Sequence, residues 1–358
     1  MGIASVQSVL LKVQLGGARG GSGATEVQLV HVTVSDSEGR QGTGFTYTLT
    51  GGGESIQTMI DTTFAPKAVG TTLAGWDRLW HDLWALTHRL GRGVALPALS
   101  ALDIAVWDLR GKTAQQPLFR LLGAYREKVS VYGSGRSTHQ MTTDELIAGT
   151  RSYLEEGYTA VKLRAGARPA EEDVERIAAV RRAVGDSVRL MVDCNERLDF
   201  PTALWLGRRL EALDVYWMEE PLASDDIAGH ARLASQLRVP IAAGEHLQGR
   251  FEFAEYIRQG AASILQPDAP LMGGVSEWMR VATLAEGFNV SLSPHFLPDL
   301  HVHLAAAAKN CIYIEDFPLI DDLLVETVRA EKGFITPPER SGHGILWDPA
   351  KLERYRVR

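Results

Sequence analysis

The chain is 358 residues long, 45% hydrophobic and 23% charged, with a formal net charge of −7. That length fits one large barrel-type domain plus a smaller one, and the acidic balance offers nothing to hold nucleic acid or an anionic membrane. Two cysteines, Cys194 and Cys311, make no disulfide framework and point to a reducing cytoplasm. The first residues, MGIASVQSVLLKVQLGG, lack the basic start and long apolar core of a secretory leader. No apolar run reaches the roughly 18 residues that span a bilayer. A soluble, cytoplasmic protein is expected.

In chain order, Val6–Val13, Val27–Val34 and Thr43–Thr50 read as strands of an antiparallel meander. Helical patterns follow at Ser55–Ala65, Trp76–Leu90 and Leu96–Leu122, so residues 1–125 form an α+β unit. The glycine cluster GGARGGSG at 16–23 is either a surface hairpin loop or a mobile lid. From Val129 short apolar strands alternate with amphipathic helices such as Ala170–Val184 and Pro201–Leu213. The strands are VSVYGS (129–134), AVKLR (160–164), RLMVDCN (189–195), VYWMEE (215–220), PIAAGE (240–245), SILQPD (263–268), VSLSPH (290–295) and CIYIED (311–316). Eight such segments, about 20–30 residues apart, predict a parallel (β/α) barrel. The tail from Leu324, with its turn-rich PPERSGHG, is expected to pack back on the first unit.

In a barrel, polar residues at the C-terminal strand ends face the active site. Strand two ends in Lys162 and Arg164, strand three in Asp193 and Asn195, strand four in Glu219, strand five in Glu245, strand six in Asp268, strand seven in His295 and strand eight in Glu315. Asp193 to Glu219 and Glu219 to Glu245 are each 26 residues, one βα unit. Three carboxylates on adjacent strands would repel unless a cation joins them, and a hard, oxygen-seeking ion such as Mg²⁺ suits the set. Glu220 follows Glu219 directly, so alternation sends it to the other face as a paired or helix-capping residue. Asp268 beside His295 would fix the imidazole tautomer and raise its basicity, which makes a general base.

Other fragments carry less. GKT at 111–113 resembles the end of a phosphate loop, but Val106 stands where its first glycine belongs. His301 and His303 are i, i+2 on a helical stretch and do not share a face. The tryptophans near 76–84 sit at helical spacing and read as core. Cys194 alternates away from Asp193 and Asn195 and reads as buried and inert.

Taken together, KLR, VDCN, WMEEP, AGEH, QPD, SPH and IED, with the helix LSALDIAVWDLRGK, resemble the enolase superfamily in its mandelate racemase-like branch. The resemblance covers essentially the whole chain. It implies an α/β fold: a modified (β/α)7β TIM-type barrel (126–323) behind an α+β N-terminal capping domain (1–125), with 324–358 returning to the cap. It implies Mg²⁺ on Asp193, Glu219 and Glu245, and a His295–Asp268 dyad. Glu315 would act as an electrophile on the substrate carboxylate. Asn195 and Lys162 would bind that carboxylate or the enediolate, and Ser137 would add a substrate contact. Specificity would come from the 16–23 lid, Arg136, Ser137 and side chains near His246. A homo-oligomer with a small carboxylate substrate is implied as well.

One position departs from the racemases of that branch. Their second basic residue on strand two is a lysine that serves as the second acid/base catalyst; here it is Arg164. Freeing a lysine of its proton at pH 7 costs about 4.6 kcal/mol, and an arginine roughly 7.5–9 kcal/mol. Arg164 therefore suits a fixed cation that clamps substrate oxygens. With one competent base, His295, the expected reaction is dehydration of an aldonate or aldarate to a 2-keto-3-deoxy acid. A racemase or epimerase using Arg164 as base, and a catalytically weak member that only binds Mg²⁺ and an acid, stay open at this stage.

Overall fold

In the computed structural model, residues 2–49 and 51–357 are described. Three long strands, β1 (Ile3–Arg19), β2 (Ala24–Asp36) and β3 (Gln41–Thr48), form an antiparallel sheet in that order. The meander expected from sequence is there, with the first two strands longer and the third starting at Gln41 instead of Thr43; Thr50, the end of the third predicted strand, lies outside the described residues. One face of this sheet packs on helix Arg92–Ala114. Gly42 and Gly44 make the approach possible, because a Cβ on Gly44 would stand 2.2 Å from the Ala101 carbonyl oxygen. The predicted helix Leu96–Leu122 is in fact two. It starts at Arg92, ends at Ala114 with Gln115 in the left-handed region, and a short helix resumes at Leu118. Pro117 lacks the amide that would carry the helix across the gap. The predicted Ser55–Ala65 helix likewise divides, with a π-turn at Ile60–Phe64 between α-helical pieces.

The barrel follows from period-two patterning. Its strands are β4 (Val129–Gly133), β5 (Ala160–Arg164), β6 (Arg189–Asp193), β7 (Val215–Glu219), β8 (Ile241–Ala243), β9 (Ile264–Leu265), β10 (Ser291–Leu292) and β11 (Ile314–Asp316). All pair in parallel in the order β10-β9-β8-β7-β6-β5-β4-β11. A parallel bridge between Leu292 and Cys311 joins the two ends and closes the cylinder. An antiparallel two-residue strand, β12 (Phe334–Ile335), adds to β4 from outside.

Outward residues such as Val161, Leu163, Leu190 and Val192 are buried under the helices, in the same core that holds Leu206, Ile177 and Val180. Inward residues build a separate plug from Tyr132, Trp217, Tyr313, Met191, Ala160, Ala242 and Ile264. Large rings opposite alanines fill the interior as alternating layers do in such barrels. The Tyr132 and Trp217 rings meet edge-on at 5.3 Å. Above this plug the inward positions become charged, and the site begins there.

The chain after Leu324 returns to the first sheet. The Trp347 ring packs edge-on against His31 and Phe45, and Trp347 Nε1 donates to Thr43 Oγ1 at 3.2 Å. No helix among the described residues is long and apolar enough to cross a membrane.

Candidate active site

Alternation along β5 points Lys162 and Arg164 into the barrel just above Tyr132. Register then does the rest, since Arg164 is level with Asp193 on β6 and Asp193 with Glu219 on β7. Both cations are wholly or nearly buried and find anions at once. Arg164 forms an ion pair with Asp193, and its Nη2 donates to Ser134 Oγ at 3.2 Å. Lys162 pairs with Glu219, with Glu315 at 2.9 Å and with Asp193 at 3.4 Å. Burial alone would lower the pKa of each cation, but the surrounding carboxylates outweigh it and raise both. Burial would likewise raise Asp193, but Arg164 and Lys162 hold it at about 2.

Glu245 reaches the same point by another route. Strict alternation from Ala242, which faces inward, would turn Glu245 outward. Gly244, at φ +139°, resets the chain direction in a region only glycine enters easily. Asp193, Glu219 and Glu245 then offer oxygens within 4.8 Å of one another.

Mg²⁺ fits this donor set. The ligands are all hard oxygens, as Mg²⁺ prefers. The charge also fits. Asp193, Glu219, Glu245, Asp268 and Glu315 outnumber Lys162, Arg164 and His295, while His246, 3.9 Å from Glu245, is already shared with Glu196 and Glu220. A divalent ion offsets this excess of negative charge. Outer support is visible in Trp217, whose Nε1 donates to Glu219 Oε2 at 2.9 Å.

On the opposite side, His295 Nδ1 donates to Asp268 Oδ2 at 2.9 Å, leaving Nε2 3.5 Å from Glu245. Burial alone would lower His295, but Glu245 and Asp268 outweigh it and hold the imidazole at about 9. The ring stacks on Phe296, which stacks in turn on Phe317. Phe296 and Leu297 both have positive φ, so the chain turns sharply just after the histidine.

His301 secures that turn. Its Nδ1 donates to the Phe296 carbonyl at 2.7 Å and its Nε2 accepts the Ala269 amide at 3.1 Å. One neutral, buried ring therefore ties the residue after His295 to the residue after Asp268. His303 is also buried, accepting the Phe119 amide at 3.3 Å and donating to the His343 carbonyl at 2.8 Å. The two histidines are structural, as their spacing suggested.

Other predicted residues take these places. Glu315 is buried, pairs with Lys162 and accepts the Phe296 amide at 3.1 Å. Burial would raise its pKa, but Lys162, His295 and Arg164 hold it at about 2, so in the free site it is an anion with no proton to donate. Asn195 adopts φ +47° and lines the cavity, with its Oδ1 3.4 Å from Arg164 Nη1. Ser137 is placed differently from expectation. Its hydroxyl accepts the Arg164 backbone amide at 3.1 Å and is 2% exposed, so it supports the end of β5 and meets substrate only through that strand.

Arg136 also turns away, toward Glu156 at 2.7 Å. Glu220 is a correction. Its φ of +40° breaks the alternation, and the carboxylate lines the cavity 3.2 Å from His246 Nδ1. Burial pushes Glu220 up to about 8, while Glu196 and Glu220 push His246 up to about 12.

The GGARGGSG segment is a hairpin that docks on the site. Gly21 accepts from Arg197 Nη2 at 3.1 Å, and a Cβ there would collide with the Asn195 side chain. Of the two expectations, the structure shows the hairpin and places it over the cavity.

Two contributors were not foreseen. His139 Nε2 donates to Asn195 Oδ1 at 3.1 Å, and burial pulls its pKa down to about 4, so it is a neutral donor. Tyr47, from the cap strand β3, donates its hydroxyl to Asp268 Oδ2 at 2.6 Å and lies 3.4 Å from His295 Nδ1. It shares Asp268 Oδ2 with the imidazole. Removing it by Tyr47→Phe concentrates negative charge on that oxygen and favours the imidazolium. The expected result is an upward shift of the rising limb of the kcat/KM–pH profile by about half a unit to one unit, measured by initial rates across pH 6–10.

The decisive comparison concerns the two halves of the chain. Residues 18–123 match the family described as mandelate racemase / muconate lactonizing enzyme, N-terminal domain, and residues 145–351 match the enolase C-terminal domain-like family. The chain belongs to the mandelate racemase-like branch of the enolase superfamily. Within that superfamily it is 34% identical over 334 residues to a 3,6-anhydro-alpha-L-galactonate cycloisomerase of Streptomyces coelicolor, covering 93% of this chain and 92% of the relative. It is 35% identical over 322 residues to an L-talarate/galactarate dehydratase of Salmonella typhimurium, covering 90% and 81%. Its structure superposes with a TM-score of 0.94 on an L-talarate dehydratase from Polaromonas sp. JS666 complexed with Mg and L-glucarate, at 32% identity and with 100% and 98% of the chains covered. Superfamily membership also accounts for the cap above a (β/α)7β barrel.

Proposed function

We propose that this protein is a Mg²⁺-dependent acid-sugar dehydratase, which converts an aldonate or aldarate to a 2-keto-3-deoxy acid. The observation that carries the reading is the asymmetry of the site. His295, supported by Asp268, offers a basic nitrogen to one face of the cavity, whereas Arg164 opposite is locked to Asp193 and raised above its ordinary pKa.

Asp193, Glu219 and Glu245 would hold Mg²⁺, which when bound supplies Lewis-acid stabilisation of negative charge developing on the substrate carboxylate. Burial lowers the pKa of the His295 imidazole and Glu245 is the largest influence raising it, so a cation held on that carboxylate would favour the neutral ring. Its Nε2 then takes the proton from the carbon α to the substrate carboxylate. Lys162 and Arg164 stand where the resulting enediolate oxygens gather charge. Glu315 is ionised in the free site, and a second anion brought against it favours its protonation; the protonated form can then donate to the substrate carboxylate. The imidazolium formed on His295 returns its proton to the leaving β-hydroxyl on the same face. The enol left behind becomes the 2-keto acid.

A ring ether oxygen at the β-carbon can leave in the same way. The cycloisomerase relative, whose named substrate carries a 3,6-anhydro bridge, keeps that variant in view. The two free cysteines are buried, which supports placement in the cytoplasm. We read the protein further as a homo-oligomer with a cap (1–125), a barrel (126–323) and a returning tail (324–358).

The test is turnover of a mono- and diacid sugar library in D₂O with Mg²⁺, scored for 2-keto acid and for deuterium in recovered substrate. The expected result is keto acid, with no recovered substrate inverted at the α-carbon. Inversion with exchange and no loss of water would point to a racemase and sink the proposal.

A further inference from the structure

The cavity above the dyad has a volume of about 550 Å³ and two unlike walls. Its charged side chains all come from the barrel: Arg164, Arg197, Glu220, Glu245, His246 and His295. The facing wall is built by the cap from Leu49, Ile56, Val94 and Pro97, with glycine backbone between them; Ser22 and Tyr47 also line it from the cap, and their hydroxyls are engaged by the Ala24 amide and Asp268. Leu247 and Leu271 close it from the barrel side. Thr48 also lies on this wall, but its hydroxyl donates to the Gly51 carbonyl at 2.8 Å. Ile56 belongs to the cap's own core, at 5% exposure, so the apolar wall is the edge of a packed layer.

A substrate anchored by its carboxylate beside Arg164, on the Mg²⁺ that Asp193, Glu219 and Glu245 would hold, would run its hydroxylated edge along the barrel and its far end against this wall. A second carboxylate there would lose water without gaining a cation. A terminal hydroxyl would lose a hydrogen bond, whereas a methyl group or the C–H face of a ring would lose nothing.

We propose that the far end of the substrate is uncharged and presents C–H surface to the cap. The class is then a monocarboxylic sugar acid, deoxygenated or ring-closed at its distal end, in preference to a diacid. This rests on the acid-sugar reading above and narrows it. Two barrel-side cations argue the other way. His246 lines the cavity but is already paired with Glu196 and Glu220, whereas Arg197 lines it, is exposed and forms no ion pair among the described residues, although it donates to Gly21. If it anchors a second carboxylate, the diacids win.

The experiment compares, for each sugar configuration, the hexonate, its 6-deoxy form and the hexarate with the Mg²⁺-loaded enzyme. The expected order of kcat/KM is 6-deoxy first, the parent about 10-fold lower, and the diacid about 100-fold below the 6-deoxy acid. Val94→Arg should raise the diacid at least about 10-fold relative to the monoacids. Equal or better turnover of the diacid overturns the proposal, and so does a diacid rate that collapses in Arg197→Gln.

Should no acid yield a 2-keto acid, the dehydratase reading falls by itself. Mg²⁺-dependent thermal shifts with the same three ligands still test the subsite. The same order supports it. A reversed order, or no binding of any of them, overturns it.

Discussion

His295→Asn is expected to lower kcat for 2-keto acid formation by about 10²- to 10⁴-fold, with Mg²⁺ binding left within a few-fold of the parent. The reasoning is geometric. Asparagine can place its amide nitrogen where Nδ1 donates to Asp268 at 2.9 Å, so that hydrogen bond and the packing on Phe296 largely survive. What disappears is Nε2, the atom we propose takes the α-proton and returns it to the leaving oxygen. Both half-steps fail together, so hydrogen–deuterium exchange at the α-carbon should fall as far as product formation does. An imidazolium 3.5 Å from Glu245 also opposes a cation on that ligand, so its removal should not weaken Mg²⁺. Rapid-quench product assays, exchange measured by NMR and Mg²⁺ titration by calorimetry check the three parts. A variant that keeps exchange while losing dehydration would give the α-proton to another base.

Such a base would have to be Arg164, and its surroundings argue against that. Deprotonation would leave buried Asp193, beside Glu219, with only Lys162 at 3.4 Å as counter-charge, which adds to a cost already larger than that of a lysine. Arg164 is better read as part of the positive lining on which the enediolate forms. Lys162 differs in kind, since it touches three carboxylates and keeps the acids together whatever else the site holds.

How far the site could be read in the sequence depends on which rule placed each residue. Lys162, Arg164, Asp193 and Glu219 follow from strand alternation, and their register makes them neighbours. Glu245 was found by the 26-residue spacing of the βα units and would have been lost to alternation, because the reset at Gly244 is a matter of φ. Glu220 shows the reverse case, where a rule that holds within a strand was carried one residue past its end.

Tyr47 and His139 were beyond reach for different reasons. A tyrosine in an alternating strand reads as core, and its partner Asp268 lies 221 residues away, joined to it only by the docking of the cap on the barrel. His139 lies in the loop after β4, where no strand pattern applies, and its partner Asn195 is 56 residues further on. The fold was legible at the level of elements, since each barrel strand has its own apolar run. The break at Gln115 was not, because the helical pattern of apolar residues runs on through a point where Pro117 removes one hydrogen bond.

Glu219→Gln is expected to abolish detectable dehydration and weaken Mg²⁺ by at least about 100-fold, yet to leave the metal-free protein folded. Glu219 sits at the centre of the acid set, between Asp193 and Glu245, and is wholly buried. The amide keeps its volume, and its single oxygen can accept from either Trp217 Nε1 or Lys162, the two donors that the carboxylate accepts together. The substitution removes one carboxylate from an acid-rich set, so the metal-free site loses repulsion from Asp193 and Glu245 as well as a ligand. Lys162 keeps Glu315 and Asp193 and is not left alone, so the penalty of about 3–5 kcal/mol for orphaning a buried ion-pair partner should not appear. The two effects therefore separate in calorimetry. Saturating Mg²⁺, at about 100 times its Kd, should stabilise the parent by about 2.7 kcal/mol and raise its Tm, whereas the variant's Tm should not respond to the same concentration. EDTA treatment of the parent should reproduce the loss of activity without unfolding. A large fall in the metal-free Tm of Glu219→Gln would mean that the carboxylate serves mainly to hold Lys162, and the metal assignment would then rest on Asp193 and Glu245 alone.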